Sequence, residues 1–222
     1  ALQKAGLSTA VVGTSTMSRG SASTITDEDR SNVPAALVVA DSSGSVDFGD
    51  VSEDLLRADP TLPFGVGVDE VRFVDAVLDS LDRSDVVVAD PGEVDRALAY
   101  QRLQLPPRAA ATLEGALTRT DGVIGAIADA VPTGTRIIIT GVTPPRGGKL
   151  VPLVVVEGDR AARITSPSTR RHDLVTITDI APTVLDALGV DVPDEMIGQA
   201  IQFEPGRVDR ADLERQEDLI RG

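Results

Sequence analysis

The chain has 222 residues, 41% of them hydrophobic, and its 35 acidic and 21 basic residues give a net charge of −14. This size predicts one domain over residues 1–222, and the negative charge repels nucleic-acid phosphates and anionic lipid surfaces, which argues against nucleic acid as a partner. Cysteine is absent and aromatic residues make up 2% of the chain, which excludes disulfides and thiolate nucleophiles and argues against aromatic stacking platforms.

Short apolar runs rich in β-branched residues are predicted to be strands. Each is nearly continuous in apolar residues, as expected for strands that are buried on both faces of a parallel sheet covered by helices. The runs are residues 8–12, 35–40, 85–89, 136–140 and 151–156. The pattern predicts an α/β fold of three layers, αβα, with a mostly parallel sheet.

Helical periodicity occupies much of the chain between these runs. Asp69 is predicted to cap a helix whose apolar stripe includes Val74 and Leu78. Residues 107–131 form a longer helical pattern that opens on Pro107, a residue suited to a first turn.

The C-terminal part of the chain contains one well-delimited helix and a charged end. Asp179 is predicted as its N-cap, Pro182 falls in the first turn, and Gly189 ends the helix. Residues 208–222 are charged with few apolar side chains, which predicts a terminal surface helix or a tether.

The sequence LVTITDIAPTVLDALGVDVP at residues 174–193 resembles the strand-to-helix turn near the C-terminal end of the alkaline phosphatase superfamily. Further pieces follow the order of that superfamily: VVVADPGEVD at residues 86–95, RIIITG at 136–141 and LVPLVVV at 150–156. The likeness covers residues 80–201 and extends to extracytoplasmic domains of actinobacterial membrane proteins of unknown function. It implies an alkaline-phosphatase-like fold, in which residues 174–193 are structural, and an extracytoplasmic location tethered to the cell membrane.

Enzymes of that superfamily hold two divalent metals with Asp and His ligands, and the resemblance allows each position to be tested. The chain has one histidine, His172, which is interpreted as a surface residue without a role. Asp95 takes the place of a family Asp, but Leu98 stands near the position of the expected His. The family's Asp-His pair is replaced by GVTPP at residues 141–145, and Arg146 and Lys149 stand where a further His is expected.

These departures predict a non-catalytic module, with no catalytic, cofactor-binding or metal-binding residue and no cofactor. The expected role is binding or scaffolding in the cell envelope, with an unknown envelope protein or polymer as partner. Membrane contact is expected only through parts of a larger parent protein outside this chain. The alternative is a weak metal-dependent phosphoryl or sulfuryl hydrolase using Asp95, completed by a nucleophile and a metal ligand that precede Ala1.

Two further patterns suggest ligands. Asp41, Ser43 and Ser45 match the Asp-x-Ser-x-Ser loop of von Willebrand A domains, in which a carboxylate and hydroxyls hold Mg²⁺ for adhesion. Arginines and a lysine make the stretch before His172 locally basic, so a small anion or acidic polymer is a possible ligand there, against the simpler interpretation of solvated loop charges. They are Arg146, Lys149, Arg160, Arg163, Arg170 and Arg171.

Overall fold

The computed structural model describes residues 1–14, 34–41, 43–141, 150–158 and 162–221. The chain divides into two compact units: an N-terminal unit, Gly6–Val131, and a C-terminal unit, Pro132–Gly222 together with Ala1–Ala5. Helices and strands alternate along the chain and include a small parallel sheet, so the mixed α/β class is confirmed at this level. The extent of the domain stays a prediction.

The N-terminal unit is built on a parallel sheet of three strands. The unit has five described strands, of which three form this sheet: β1 (Thr9–Gly13), β2 (Phe48–Asp50), β3 (Leu56–Ala58), β4 (Val66–Val68) and β5 (Val86–Asp90). Strand β1 lies between β2 and β5 and is parallel to both, while β3 and β4 form a separate antiparallel pair. All five residues of β1 are buried, as expected for the centre of a sheet covered on both faces.

Helices of the N-terminal unit pack beside this sheet. They are α1 (Pro34–Val39), α2 (Glu70–Leu81), α3 (Glu93–Tyr100) and α4 (Pro106–Ala130), with 3₁₀ turns at Glu53–Leu55, Pro63–Gly65 and Gln101–Leu103. Val12 of β1 and Phe73 of α2, both 0% exposed, lie at the centre of the main apolar core. The other buried members of this core are Leu55, Val68, Val77 and Val123.

Two helices, α2 and α4, begin within one residue of the position predicted from the sequence. The Asp69 carboxylate accepts the Arg72 N–H at 3.2 Å and caps α2, so that prediction is confirmed. Helix α4 begins at Pro106, one residue before the predicted start. Proline is tolerated in the first turn because its missing N–H would have no helical partner there.

The predicted strand at residues 35–40 is wrong, because this segment forms α1. Ala35 is buried, whereas Leu37 is 79% exposed and Val38 55% exposed, so the run buries only one side. Alanine and leucine favour helix, and a six-residue apolar run has no periodicity that separates a short helix from a buried strand.

The C-terminal unit contains antiparallel strand pairs. Its elements are β6 (Ile137–Thr140), β7 (Leu153–Val156), β8 (Ala162–Ser166), β9 (Arg171–His172), β10 (Gln202–Pro205), α5 (Ile180–Ala187), α6 (Arg210–Arg221) and 3₁₀ turns at Gln3–Ala5 and Ile177–Asp179. Strand β6 pairs with β7, and β8 lies between β9 and β10. The strands predicted at 136–140 and 151–156 are therefore present, but their mutual pairing is antiparallel.

Helix α5 begins differently from the prediction. A 3₁₀ turn precedes it, Thr176 occupies the cap position, and the Asp179 carboxylate accepts the Thr176 N–H at 2.9 Å to complete a capping box. Asp179 therefore stands at the N-cap position of α5, as predicted, but it has helical dihedrals and its side chain caps the preceding 3₁₀ turn, of which it is the third residue. Gly189 has a φ of 68° and ends the helix as predicted.

The last helix, α6, confirms a terminal helix in the region predicted as helix or tether. None of the described helices has both the length and the apolar character required to cross a bilayer.

Candidate functional site

The carboxyl ends of β1 and β5 form the candidate site of the N-terminal unit. Strand β2 lies on one side of β1 and β5 on the other, and such a reversal in strand order leaves a crevice at the carboxyl edge of an open parallel sheet. Gly13 is in register with Asp90, and the Thr14 N–H donates to the Asp90 carbonyl at 3.1 Å. The first residues beyond the two strands therefore meet at this edge.

Thr14 and the turn after β5 fill the edge. Thr14 is 2% exposed; its hydroxyl donates to the Pro91 carbonyl at 2.7 Å and accepts from Arg96 Nη1 at 2.7 Å. Gly92 has a φ of 66°, and a Cβ at this position would lie 2.4 Å from Thr14 Oγ1. Glycine is therefore required both by the backbone conformation and by the close approach of Thr14.

A buried ion pair lies beneath this turn. Arg96 and Glu93 are one helical turn apart on α3, with side chains 1% and 2% exposed, and Arg96 Nη2 donates to Glu93 Oε1 at 2.9 Å. The same nitrogen donates to the Pro91 carbonyl at 2.8 Å. Arg96 thus joins the start of α3 to the ends of β1 and β5.

Glu93 extends the network to neighbouring elements. Its Oε1 accepts the Val68 N–H of β4 at 2.7 Å, and its Oε2 accepts Nε of Arg119, on α4, at 2.7 Å. Burial alone raises the pKa of Glu93, but the Val68 N–H and the two guanidinium groups outweigh it and hold this pKa below its ordinary value. Glu93 is consequently an ionised carboxylate whose charge is neutralised in place.

The residues at this edge do not fit the two-metal centre that the resemblance implies. Arg96 occupies the carboxyl edge and is paired there with Glu93, whose two oxygens are already engaged by three donors, so neither side chain is free to act as a metal ligand. Within the described parts of the chain, no three His, Asp or Glu side chains come together as metal ligands. A two-metal clamp needs several such ligands around each ion.

Asp95 lies near the edge with one other carboxylate. Burial raises the pKa of Asp95, the negative charge of Asp90 raises it further, and Arg96 opposes both. Asp90 itself accepts the Gly92 N–H at 2.9 Å. A carboxyl whose pKa is raised keeps its proton to a higher pH than an ordinary Asp, which is the property that a general acid requires.

The other positions tested by resemblance are less informative. Leu98, near the expected His, is 47% exposed on α3. Gly141 follows β6, whereas residues 142–149, including Arg146 and Lys149, lie outside the described residues.

The Asp41 loop has a local structural role. Asp41 Oδ1 accepts the N–H groups of Ser43 and Ser45 at 2.8 and 2.9 Å and the Ser43 hydroxyl at 2.7 Å, and the Ser43 and Ser45 hydroxyls are 3.2 Å apart. The loop follows helix α1 and leads into the start of β2. It therefore lies at the amino edge of the sheet, whereas the adhesion motif requires the end of a strand.

The basic stretch is partly neutralised. Arg163 forms an ion pair with Asp173, whose side chain is 2% exposed, and Asp173 raises the pKa of Arg163. Arg170 directly precedes β9 and Arg171 is its first residue, while Arg160 is outside the described residues. His172 is a surface residue as predicted, with its side chain 57% exposed and Nδ1 3.5 Å from Glu204.

Asp179 organises the segment that carries the resemblance. It is 0% exposed and accepts hydrogen bonds from the Ser168 hydroxyl at 2.6 Å and from the Gln199 N–H at 2.9 Å, besides that from Thr176. Burial alone raises the pKa of Asp179, but these donors outweigh it and lower the pKa to about 2. These hydrogen bonds join the segments around Ser168, Thr176 and Gln199, which indicates a structural role.

Sequence reasoning missed the network of Thr14, Glu93, Arg96 and Arg119. One local signal was available, because Glu93 and Arg96 are three residues apart directly after a Pro-Gly turn, a spacing that places them on one helix face. The contributions of Thr14 and Arg119 depend on tertiary contacts 82 and 26 residues apart in sequence. Hydrophobic periodicity along the chain does not reveal contacts between residues so far apart in sequence.

Comparison with protein-family models gave no match, and a search of curated proteins found no significantly similar sequence.

Proposed function

We propose that this chain is a non-catalytic binding or scaffolding module built on a degenerate alkaline-phosphatase-like scaffold. The observation that carries the proposal is the buried Glu93–Arg96–Arg119 network at the carboxyl edge of the parallel sheet. Catalytic groups of open α/β sheets occupy this edge, and here an arginine fixed by Glu93 and Thr14 fills it.

The three-layer architecture and the envelope location belong to the same proposal. Both are supported by the order of the sequence pieces that resemble the superfamily, and the layered architecture is supported in addition by the parallel sheet of β2, β1 and β5. The role of Asp179 in holding the resembling segment together supports a retained scaffold without a retained active site. The partner is an envelope protein or polymer.

The proposal is tested by assaying hydrolysis of p-nitrophenyl phosphate, bis-p-nitrophenyl phosphate and p-nitrophenyl sulfate with Zn²⁺, Mn²⁺ or Mg²⁺. We expect the native chain to show the same background rate as Asp95→Asn. Turnover that depends on metal, disappears in Asp95→Asn and persists in the exposed control Glu70→Gln would overturn the proposal.

The binding half is tested separately. Labelled chain is incubated with isolated envelope fractions, and unlabelled chain is added as competitor. We expect saturable binding that the competitor displaces; binding that rises linearly with concentration and resists competition contradicts a specific module.

A weak hydrolase using Asp95 is the second candidate, favoured by the raised pKa of Asp95 beside Asp90. A raised pKa favours the protonated form of Asp95, and a protonated carboxyl can act as a general acid. Its signature would be a rate that falls with rising pH through the Asp95 titration and is lost in Asp95→Asn.

A further inference from the structure

Two leucines in the turn between α3 and α4 are exposed and do not belong to the main apolar core. Leu103 is 65% exposed and Leu105 is 78% exposed. They flank Gln104 at the junction between the 3₁₀ turn Gln101–Leu103 and the first residue of α4. We call residues 101–108 the leucine turn.

The backbone fixes the direction of both leucines. Gln104 and Leu105 have extended dihedrals, with φ/ψ of −126°/155° and −69°/147°, and in extended backbone alternate side chains point to opposite sides. The Gln104 side chain points back onto α4, where its Nε2 donates to Thr112 Oγ1 at 3.0 Å. Leu103 and Leu105 therefore project together, away from α4.

Backbone hydrogen bonds hold the leucine turn in one conformation in the absence of a ligand. The Gln104 N–H donates to the Gln101 carbonyl at 3.0 Å, and the Leu105 carbonyl accepts from the Arg108 and Ala109 N–H groups at 3.0 and 2.9 Å. A rigid turn loses little conformational entropy on binding. The exposed leucines are thus presented in one arrangement.

The charge around the two leucines is positive. Arg102 and Arg108, both exposed, flank them on either side. No acidic residue occurs between Asp95 and Glu114, although the whole chain has 35 acids and a net charge of −14. Residues 96–113 therefore carry only positive charge beside the two exposed leucines, and screening beyond about 8 Å at physiological ionic strength limits the effect of more distant acids.

The size of this surface favours a lipid bilayer over a protein. A stable protein interface engages roughly 20–30 residues on each side, far more than this turn provides. Two apolar side chains between cations match the composition of surfaces that enter the headgroup region of anionic membranes.

We propose that the leucine turn inserts Leu103 and Leu105 into the interface of an anionic lipid bilayer, with Arg102 and Arg108 contacting lipid phosphates. This surface is separate from the carboxyl edge of the sheet. It departs from the expectation that membrane contact is made only outside residues 1–222. The interaction is weak and reversible, because stable anchoring requires more buried apolar surface than two side chains supply.

Co-sedimentation of the full chain with vesicles tests the proposal, using 30% phosphatidylglycerol in phosphatidylcholine against pure phosphatidylcholine at millimolar lipid. We expect binding to the anionic vesicles, reduced at least about tenfold in Leu103→Asn/Leu105→Asn and roughly thirtyfold in Arg102→Gln/Arg108→Gln. Leu37→Asn is the matched control, since Leu37 is 79% exposed on α1 of the same unit. Thermal melts check that every variant is folded. We expect all of them to fold, because the substituted side chains are exposed.

Several results would overturn the proposal: no binding to anionic vesicles, equal binding to pure phosphatidylcholine, or an equal loss in Leu37→Asn. A concentration-dependent dimer that disappears in Leu103→Asn/Leu105→Asn, with vesicle binding absent, would show that this surface joins two copies of the chain instead.

Discussion

Glu93 is the charge on which the buried network of the N-terminal unit depends. Its two oxygens accept from Val68, Arg96 and Arg119, and Arg96 in turn holds Thr14 and the Pro91 carbonyl. Neutralising Glu93 leaves the buried Arg96 guanidinium without its counter-charge. Removing one partner of a buried pair costs more than the pair itself contributes, because the remaining charge stays desolvated.

We expect Glu93→Gln to lower the free energy of unfolding by about 2–4 kcal/mol. Urea unfolding followed by circular dichroism measures this change. Glu114→Gln, an exposed position on α4, is the control and should change the free energy by less than about 0.5 kcal/mol. A Glu93→Gln variant as stable as that control would show that the network contributes no stability.

Gly92 and Gly125 should respond to alanine in opposite directions. At Gly92 the left-handed φ and the 2.4 Å approach of Thr14 oppose a Cβ, whereas a Cβ at Gly125, inside α4, meets nothing within 4 Å. We expect Gly92→Ala to destabilise by about 2 kcal/mol or more and Gly125→Ala to stabilise by about 0.5–1 kcal/mol. Thermal unfolding separates the two, and equal shifts of the same sign contradict the described turn.

At the scale of elements, the start of α5 links stability to pH through Asp179. The folded-state pKa of about 2 lies below the ordinary value of 3.8, so ionised Asp179 favours the folded state. Its contribution, about 2 kcal/mol from a shift of this size, is complete above about pH 4 and is lost as the pH falls through 2.

This prediction is measured as the free energy of unfolding between pH 7 and pH 2 for the native chain and Asp179→Asn. We expect the asparagine variant to be less stable at pH 7 and to lose less stability on acidification. Asp186→Asn, an exposed position on the same helix, should follow the native chain. Parallel curves for Asp179→Asn and the native chain would show that another carboxylate controls the acid response.

Elements were predictable from sequence where a local signal was sufficient. The Asp69 cap, the Gly189 stop and the long helix α4 depend on caps, breakers or a long periodic pattern. Strands β1 and β5 were predicted correctly from short apolar runs. The same kind of signal predicted a strand wrongly at residues 35–40, because six apolar residues suit either a helix or a strand. The antiparallel pairing of β6 with β7 is set by tertiary contacts rather than by either strand's own sequence.

The candidate site was predictable in part. Asp95 was singled out only by the resemblance, as the residue in place of a family Asp, while the surface position of His172 was predicted from its charged neighbours and is confirmed. The buried arginine was not, because Arg96 looks like an ordinary solvent-facing residue on a short helix until the contacts with Thr14 and Pro91 bring it to the sheet edge. Sequence reasoning identified which expected ligands were replaced, while the structure identified what fills the edge.

At the scale of the whole molecule, the proposal of a binding module depends on a carboxyl edge of the parallel sheet that is filled by Arg96 paired with Glu93. Function resides in the site rather than in the fold, so these residues carry the proposal. A chain of net charge −14 attracts divalent cations to its surface in general, so weak non-specific binding is expected at high metal concentration. Specific metal binding differs from this because it has a fixed stoichiometry and is lost when a single ligand residue is replaced.

The most direct test is metal content together with metal-dependent thermal stability, using Zn²⁺, Mn²⁺, Mg²⁺ and Ca²⁺ against a chelated control. Ligands that bind only the folded state raise the melting temperature, by an amount that grows with the ratio of ligand concentration to Kd. We predict no stoichiometric metal and, at low metal concentration, no shift of the melting temperature from the chelated control in the native chain, in Asp95→Asn or in Asp41→Asn. A stoichiometric metal whose stabilisation is lost in Asp95→Asn would contradict the non-catalytic proposal and favour the hydrolase, and a loss in Asp41→Asn would favour adhesion.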